Sequence, residues 1–429
     1  MTNYIKQISF ELKNQKIVTW VSISGTSLAI FMIMALFVSE RLEQLEIPPV
    51  SLRNRILTGQ AIEYIHDQGS GSGMGINYSL AKKLYDNLDG IERYSYISTI
   101  WGKNEVGIHN GDLIAAQGMR VDDEYWNIYD YNFIAGTPFD KAEVEAGMKS
   151  AILTRSTARK IFGEDDVVGR EIDIDNIPYV IKGVVEDPYP LLPDGNIELF
   201  INYTPSELPD NDDFFGRTNL RLLLKDGVKP QYVKSQVEKR YDDLNRQLKE
   251  KDGTRVVYHE QPYTSEELIE SFGSNNSPKL KTRQRIHALV YVILLLIPAI
   301  NLSSMTRSRL NSRITEIGVR RAFGAKKRSI IMQIFSENFL MSLIGGAIGL
   351  GLSLLFIVLL SGYFISHQDS INDGALAPVS AAPVVWHVFD WQTFFIALGA
   401  CFVLNVMSAT VPAWKAAGVQ PALAIAKTR

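Results

Sequence analysis

The sequence predicts an α-helical membrane protein with four transmembrane helices and an α+β extracytoplasmic domain inserted between helices one and two. Two observations carry this prediction. The chain of 429 residues contains four long apolar runs without a single Lys, Arg, Asp or Glu, and its charged residues lie almost wholly between those runs. Because 46% of the residues are hydrophobic and 21% are charged, this separation excludes an ordinary soluble protein.

Each apolar run is long enough to cross a bilayer. At 1.5 Å per residue the first run, 17–38, reaches about 33 Å, and the hydrocarbon core measures about 30 Å. The other runs, of which the third has its uncharged apolar part at 339–360, predict transmembrane helices at 286–306, 334–364 and 391–412. A cleaved signal peptide is the alternative for the first run, but the apolar stretch is too long and no clear cleavage site follows it.

The positive charge between the spans predicts their orientation. Segment 307–333 holds eight Lys and Arg and one Glu, a net charge of +7. Because such cations resist translocation, we expect this segment, the amphipathic N-terminal segment 1–16 and the tail 413–429 to be cytoplasmic. The short loop 365–390 and the large domain 39–285 then lie outside. That domain has 30 Lys and Arg against 41 Asp and Glu, and its net charge of −11 argues against nucleic acid as a partner.

Local patterns within 39–285 predict an α+β fold that is large enough for two subdomains. Strand-like residues flank turn signals at Asn110-Gly111 and Asp175-Asn176, which predicts two hairpins. The glycine run 69–75 predicts a mobile surface loop, because no βαβ context makes it a nucleotide-binding loop. Helical patterns occur near 79–89, 156–162 and 229–251.

Sequence motifs for catalysis or metal binding are missing from the chain. There is no G-x-x-x-x-G-K-[ST], no H-E-x-x-H and no G-x-S-x-G. Asp173 and Asp175 lack the companion ligands of a calcium loop. We therefore predict that this chain has no catalytic residue, no metal and no cofactor of its own. An ion-coupled transporter is also disfavoured, because the spans contain no string of acidic residues.

Polar and small residues within the spans suggest helix contacts. His287 and Asn301 in the second span are either part of a relay or packed between helices, and packing is the favoured interpretation. Gly345, Gly346 and Gly349 in the third span form a G-x-x-x-G face. Another helix can approach such a face closely, either within the chain or in a dimer.

A set of residues extending from the second span into the third matches a known family. They are Asn301, Arg313, Glu316, Ile317, Gly318, Arg320, Ala322, Gly324, Ala325, Glu337, Gly345 and Gly346. With the C-terminal PAWKAAGVQPALAI and the external pieces AGTPF, ARKIFG, VVGREI and VIKGVVED, they resemble the FtsX-like permeases of the MacB and lipoprotein-releasing (Lol) ABC transporters. Ser312 and Gln420 depart from the family, which usually has acidic residues there, and no nucleotide-binding domain is fused.

The resemblance implies that 307–333 contains a coupling helix moved by a separate P-loop ABC ATPase, which would bind ATP and Mg²⁺. The residues expected to couple to the ATPase are Arg313, Glu316, Gly318, Arg320, Arg321, Gly324 and Ala325. Those expected to pack membrane helices are Asn301, Glu337, Gly345, Gly346 and Gly349.

Three of the coupling residues have an expected geometry. Glu316 lies four positions before Arg320, so the two can brace the helix while Arg321 projects towards the partner. Gly318 and Gly324 would allow close backbone approach.

The resemblance also implies the cellular setting. It indicates a homodimer, or a heterodimer with a related permease, in the bacterial inner membrane. Further partners would be a periplasmic adaptor with an outer-membrane channel, or a lipoprotein carrier.

Two partners and two functions remain open at this stage. By composition the basic segment could bind anionic lipid or, through the interleaved Ile317, Val319 and Phe323, a grooved acidic protein surface. The fixed glycines and glutamate favour a protein. The leading function converts ATP hydrolysis by the partner into movement of the external domain, driving efflux or lipoprotein release. The alternative is an FtsX-like regulator that activates a cell-wall hydrolase, which the large size of 39–285 disfavours.

Overall fold

The computed structural model describes two compact units. The described residues are 16–42, 45–66, 69–99, 103–109, 111–188, 196–203, 214–271, 277–312, 314–371 and 389–418. A helical unit lies within 1–41, 282–360 and 380–429, and an α+β unit lies within 42–281 and 361–379.

Helices occur in both units. The helices of the described residues are α1 (Lys16–Leu42), α2 (Tyr78–Tyr85), α3 (Tyr125–Ile128), α4 (Lys141–Glu145), α5 (Arg155–Phe162), α6 (Pro230–Lys251), α7 (Ser265–Glu270), α8 (Leu280–Ser312), α9 (Ile314–Ala322), α10 (Lys327–Ile371) and α11 (Trp391–Gly418). The predicted helices near 79–89, 156–162 and 229–251 are thus confirmed as α2, α5 and α6.

All the named strands belong to the α+β unit. They are β1 (Ile56–Gly59), β2 (Ala61–His66), β3 (Gly69–Met74), β4 (Ile91–Thr99), β5 (Asn104–Gly107), β6 (Leu113–Ala116), β7 (Gly118–Val121), β8 (Phe133–Gly136), β9 (Ser150–Thr154), β10 (Glu171–Ile174), β11 (Ile177–Val185), β12 (Leu199–Asn202), β13 (Asn219–Leu224) and β14 (Arg255–Val256).

Eleven of these strands form one mixed sheet. Its order is β1-β13-β4-β7-β12-β9-β11-β10-β5-β6, with β8 paired to β11, and β14-β2-β3 form a second sheet. One hydrophobic cluster packs α2 and α6 against β1, β2 and β13, and another packs α5 against β9 to β12. The unit is therefore α+β, as predicted. Its division into two subdomains stays a prediction.

Both predicted hairpins are present. Strands β10 and β11 pair across Asp175 and Asn176, whose φ angles of 52° and 64° are those of a type I′ turn. Strands β5 and β6 also pair as a hairpin, although Asn110 of its turn lies outside the described residues.

The glycine run 69–75 is not a loop, so that prediction is wrong. Strand β3 pairs with β2 along its whole length. A Cβ atom on Gly71 would lie 2.6 Å from Cε1 of Tyr64, and one on Gly73 would lie 3.1 Å from Cδ1 of Phe215. The Tyr64 ring itself stacks on Phe214 with the ring centroids 4.7 Å apart. Glycine is needed here because aromatic rings cover this face of the strand.

We expect Gly71→Val to destabilise the α+β unit and Ser72→Val to leave it nearly unchanged. Valine at position 71 must displace the packed Tyr64 ring, at a cost of about 1–3 kcal/mol in the free energy of unfolding. Ser72 is exposed, so its substitution should stay within about 0.5 kcal/mol. Denaturant unfolding of the full chain, followed by near-ultraviolet circular dichroism, measures both. Equal shifts in the two variants would show that the rings do not require glycine.

A buried carboxyl group joins β4, β7 and α3. Asp122 accepts hydrogen bonds from Ser95 Oγ at 2.7 Å, from the Tyr96 amide at 2.7 Å and from the Tyr125 amide at 3.0 Å. Burial nevertheless raises the pKa of Asp122 to about 7, because desolvation of the charged form outweighs these three donors.

We expect Asp122 to make the α+β unit less stable as the pH rises from about 4 to about 7. In that range the folded chain holds a proton on Asp122 that the unfolded chain, with an ordinary pKa of 3.8, has released. The stabilisation that Asp122 contributes is therefore fully present below about pH 4 and is lost as the pH rises through about 7. Thermal unfolding of the full chain against pH measures the slope. An unchanged slope in Asp122→Asn would contradict the assignment.

The helical unit alternates in direction. α1 and α10 run parallel, because Gly345 and Gly349 meet early residues of α1 and Phe356 meets the later Phe31. α11 runs antiparallel to α10, since Phe402 packs on Phe339 and the earlier Leu398 meets the later Gly346. Glu40 near the end of α1 contacts the beginning of α8, and α9 contacts α11. The helix α9 therefore lies at the end of the unit where α1 begins and α11 finishes.

In the described residues, two helical stretches are long and apolar enough to cross a membrane, Thr19–Val38 and Lys327–Leu359. α11 contributes a shorter apolar stretch, Trp391–Leu404. The exposed Trp391 and Trp414 are separated by about 34 Å along this helix at 1.5 Å per residue, a spacing that suits the two membrane interfaces. Four spans remain a prediction. The segment 307–333 is mostly helical rather than a loop.

Candidate functional site

The basic segment folds into a helical hairpin, α9 followed by the start of α10. Ile317 of α9 is buried against Ile330 and Ile334, which lie four residues apart on one face of α10. Ala325 in the connecting turn packs on the same cluster. These apolar contacts fix the angle between the two helices.

Gly324 ends α9 and turns the chain into α10. Its φ angle is +91°, the left-handed region that favours glycine. The Ala325 amide donates to the Arg320 carbonyl at 3.1 Å and the Gly324 amide donates to the Arg321 carbonyl at 3.1 Å. This is a Schellman motif, so within the chain Gly324 is required by its backbone angle. Gly318, six residues earlier, is buried.

Polar contacts link the hairpin to the body of α10. Arg320 Nη1 donates to Gln333 Oε1 at 3.0 Å, and Gln333 Nε2 donates to Glu337 Oε1 at 3.0 Å. Glu337 is only 7% exposed. Glu337, predicted for membrane helix packing, thus shares a hydrogen-bonded chain with Arg320, which was predicted for coupling.

Part of the predicted site is not described. Arg313 lies outside the described residues, and so do the side chains of Glu316 and Asn301. The bracing of Arg320 by Glu316 therefore stays a prediction. Gln333 was missed in the sequence, although its spacing of four from Glu337 could have pointed to it.

The outward face of α9 is apolar and surrounded by positive charge. Val319 of α9 and Phe323, which directly follows its last residue and lies one turn after Val319, are 39% and 88% exposed. Ile317, grouped with them in the sequence analysis, points to the opposite face. The exposed cations around the turn and the start of α10 are Arg320, Lys326, Lys327 and Arg328. Such a ridge can insert into an acidic groove, and it is left uncovered by the part of the chain that the structure describes.

The predicted glycine face of α10 is filled by the chain's own helices. A Cβ on Gly345 would lie 2.9 Å from Thr26 Cβ, and one on Gly349 would lie 2.9 Å from the Ser27 carbonyl oxygen. A Cβ on Gly346 would lie 2.6 Å from Leu398 Cδ1 of α11. The structure thus uses this face for packing within one chain.

His287 joins α8 to α1. Its Nδ1 lies 2.5 Å from Glu40 Oε1, and Tyr291 donates its hydroxyl to Glu40 Oε2 at 3.1 Å. These contacts agree with the helix-packing interpretation of His287.

Comparisons with known proteins match both units. Residues 19–240 match the family model of the MacB-like periplasmic core domain, and residues 288–421 match that of the FtsX-like permease C-terminal domain. The macrolide export ATP-binding/permease protein MacB 1 of Yersinia pestis bv. Antiqua is 25% identical over 353 residues, 80% of this chain and 49% of that protein. MacB of Salmonella paratyphi A is 23% identical over 301 residues, 68% of this chain and 44% of that protein.

The chain spans about half the length of the curated relatives it matches. Among solved structures, the periplasmic region of MacB from Actinobacillus actinomycetemcomitans is 16% identical with a TM-score of 0.33, over 46% of this chain and 88% of that one. Since the match to the MacB-like periplasmic core covers just over half of the 429 residues, and the FtsX-like match covers the helices from α8 to α11, the chain belongs to the MacB-like family of ABC-transporter permeases.

Proposed function

We propose that this chain is the permease subunit of a MacB-type ABC transporter that converts ATP hydrolysis by a partner ATPase into movement of its external domain. ATP and Mg²⁺ are bound by that ATPase. The permease works in the bacterial inner membrane as a dimer, with both termini cytoplasmic, and drives efflux or lipoprotein release. The match of 19–240 to the MacB-like periplasmic core supports this function over regulation of a cell-wall hydrolase.

The observation that carries the proposal is the outward ridge of α9. Phe323 is 88% exposed, and burying an aromatic side chain contributes about 1.5–3 kcal/mol, so a partner that covers this ring would gain that much affinity. The surrounding cations steer an acidic surface towards it, and the apolar ridge then supplies the affinity. A groove on the ATPase with an acidic rim and an apolar floor would complement both the cations and the apolar ridge.

A lipid surface is the competing partner for the same ridge. Polybasic segments bind anionic lipid through charge alone, at about 1 kcal/mol per Lys or Arg near the surface. Lipid binding would depend on the number of cations and little on where Phe323 points. The two partners are therefore separated by removing the aromatic ring while every charge is kept.

We expect Phe323→Ala to weaken retention of the partner ATPase by about tenfold or more, since a central aromatic anchor carries much of a binding interface. Phe395→Ala is the matched control, because Phe395 is also an exposed aromatic residue of the helical unit but lies on α11. The measurement is co-purification and ATP turnover of the complex in nanodiscs. If Phe323→Ala keeps the ATPase bound and turning over like the control, the ridge is not the coupling contact.

A double variant with Arg320→Glu and Arg321→Glu tests whether the positive charge around the ridge is needed for coupling to the ATPase. The chain should stay folded and inserted, while ATP hydrolysis no longer moves the external domain. Loss of binding to anionic vesicles with an intact ATPase complex would assign the segment to lipid.

Topology can be tested with two exposed serines, Ser70 on β3 and Ser329 at the start of α10. With the buried Cys401 first replaced by serine, Ser70→Cys should react with a membrane-impermeant maleimide in intact spheroplasts. Ser329→Cys should react only after lysis. Labelling of Ser329→Cys in intact spheroplasts would invert the proposed orientation.

A further inference from the structure

We infer that displacement of α9 reaches the external domain through α10 and α1, by way of the Gly345 and Gly349 contact, with Gln333 and Glu337 as positioning residues. This inference rests on the proposed function. It adds the route inside the chain, which the function itself leaves open.

The first step of the route is the attachment of α9 to α10. Ile317 shares a buried cluster with Ile330 and Ile334, and the chain of hydrogen bonds from Arg320 through Gln333 to Glu337 ties the same two helices. The apolar cluster and the hydrogen bonds together resist both sliding and rotation of α9 relative to α10. A push on the outward ridge of α9 therefore moves the beginning of α10.

The second step is the contact of α10 with α1. At Gly349 the space for a methyl group is already occupied by the Ser27 carbonyl oxygen at 2.9 Å and by Ile30 Cβ at 3.0 Å. At Gly345 it is occupied by Thr26 Cβ and by the Ile23 carbonyl oxygen at 3.1 Å. At each glycine a backbone carbonyl oxygen and a β-branched side chain of α1 fill this space, so the backbones of the two helices approach closely. Close-packed elements with this geometry transmit a displacement instead of absorbing it.

The third step is the connection of α1 to the α+β unit, which is the covalent chain itself at 41–42. α8 offers a second covalent connection, at 281–282, but it is packed differently. Among the described side chains of α8, five apolar residues are 45–59% exposed: Ile286, Leu289, Val292, Ile293 and Leu296. In that stretch Glu40 provides its polar contacts with α1, through His287 and Tyr291. α1 is therefore the more rigidly held of the two connections.

The test compares two Gly→Ala changes two residues apart on α10. Gly349→Ala places a methyl group against Ser27, whereas Gly351→Ala meets no atom within 4 Å. Both changes raise helix propensity equally, so they differ in the contact alone. The complex with its ATPase is reconstituted in nanodiscs, in a Cys401→Ser background. Labels on cysteines at the exposed Lys239 and Gln392 report the distance between the two units with and without nucleotide.

We expect Gly349→Ala to keep the ATPase bound but to reduce the nucleotide-dependent distance change about threefold or more, with Gly351→Ala like the parent. A full distance change in Gly349→Ala, or an equal loss in both variants, overturns the inference. If the parent itself retains no ATPase, the proposed function fails and the inference falls with it.

A second pair of variants decides the matter where Gly349→Ala does not fold. Glu337→Leu removes the acceptor for Gln333, and Glu337→Gln restores one. The route requires Glu337→Leu to lose the distance change while ATP turnover continues, and Glu337→Gln to recover it. Equal behaviour of the two variants would show that Glu337 has no positioning role.

Discussion

The backbone contact between α1 and α10 is the constraint on which the arrangement of the helical unit depends. Between helices in lipid there is no hydrophobic driving force, so association requires surfaces that fit closely. Gly345 and Gly349 provide such a surface, and Thr26 and Ser27 of α1 fill it. Gly346 does the same for α11 through Leu398. Because these contacts fix parallel and antiparallel neighbours, they also determine the end of the unit at which α9 lies.

The two faces of α9 explain how one short helix can belong both to the chain and to a partner. Ile317 holds the inner face with an apolar cluster, and Gly324 allows the sharp return into α10. In the proposed contact with an ATPase, each exposed ion pair contributes at most about 1 kcal/mol, and burial of Val319 and Phe323 adds affinity that charge alone does not supply. Charge then determines which surfaces approach and how fast.

Sequence reasoning predicted the features that depend on local chemistry. The apolar runs, the hairpin turn at Asp175 and Asn176, and the helices α5 and α6 all follow from spacing and propensity. Strand β3 could not be predicted that way, because Gly71 is explained by the Tyr64 ring of the neighbouring strand and Gly73 by the ring of Phe215, more than a hundred residues later in the chain. A pattern of Gly and Ser carries no strand signal of its own.

In the candidate site, too, the features that depend on local sequence could be predicted and those that depend on distant contacts could not. The basic segment, Phe323 and the glycine face were visible in the sequence. Gln333 was not, because a polar residue beside a predicted span resembles an ordinary boundary residue. Its role depends on the angle between α9 and α10, which the distant pair Ile317 and Ile334 determines.

Inside the α+β unit, the segment that follows α1 and the segment that precedes α8 are hydrogen-bonded to each other. The Thr58 amide donates to the Tyr263 carbonyl and the Tyr263 amide to the Thr58 carbonyl, each at 2.8 Å. The buried Gln261 side chain also donates to the Ala61 carbonyl at 2.6 Å and accepts from the Gln60 amide at 3.1 Å. A displacement that enters the unit along either connection therefore acts on the same pair of segments. Under the proposed function, a displacement carried by α1 alone would therefore act on both segments.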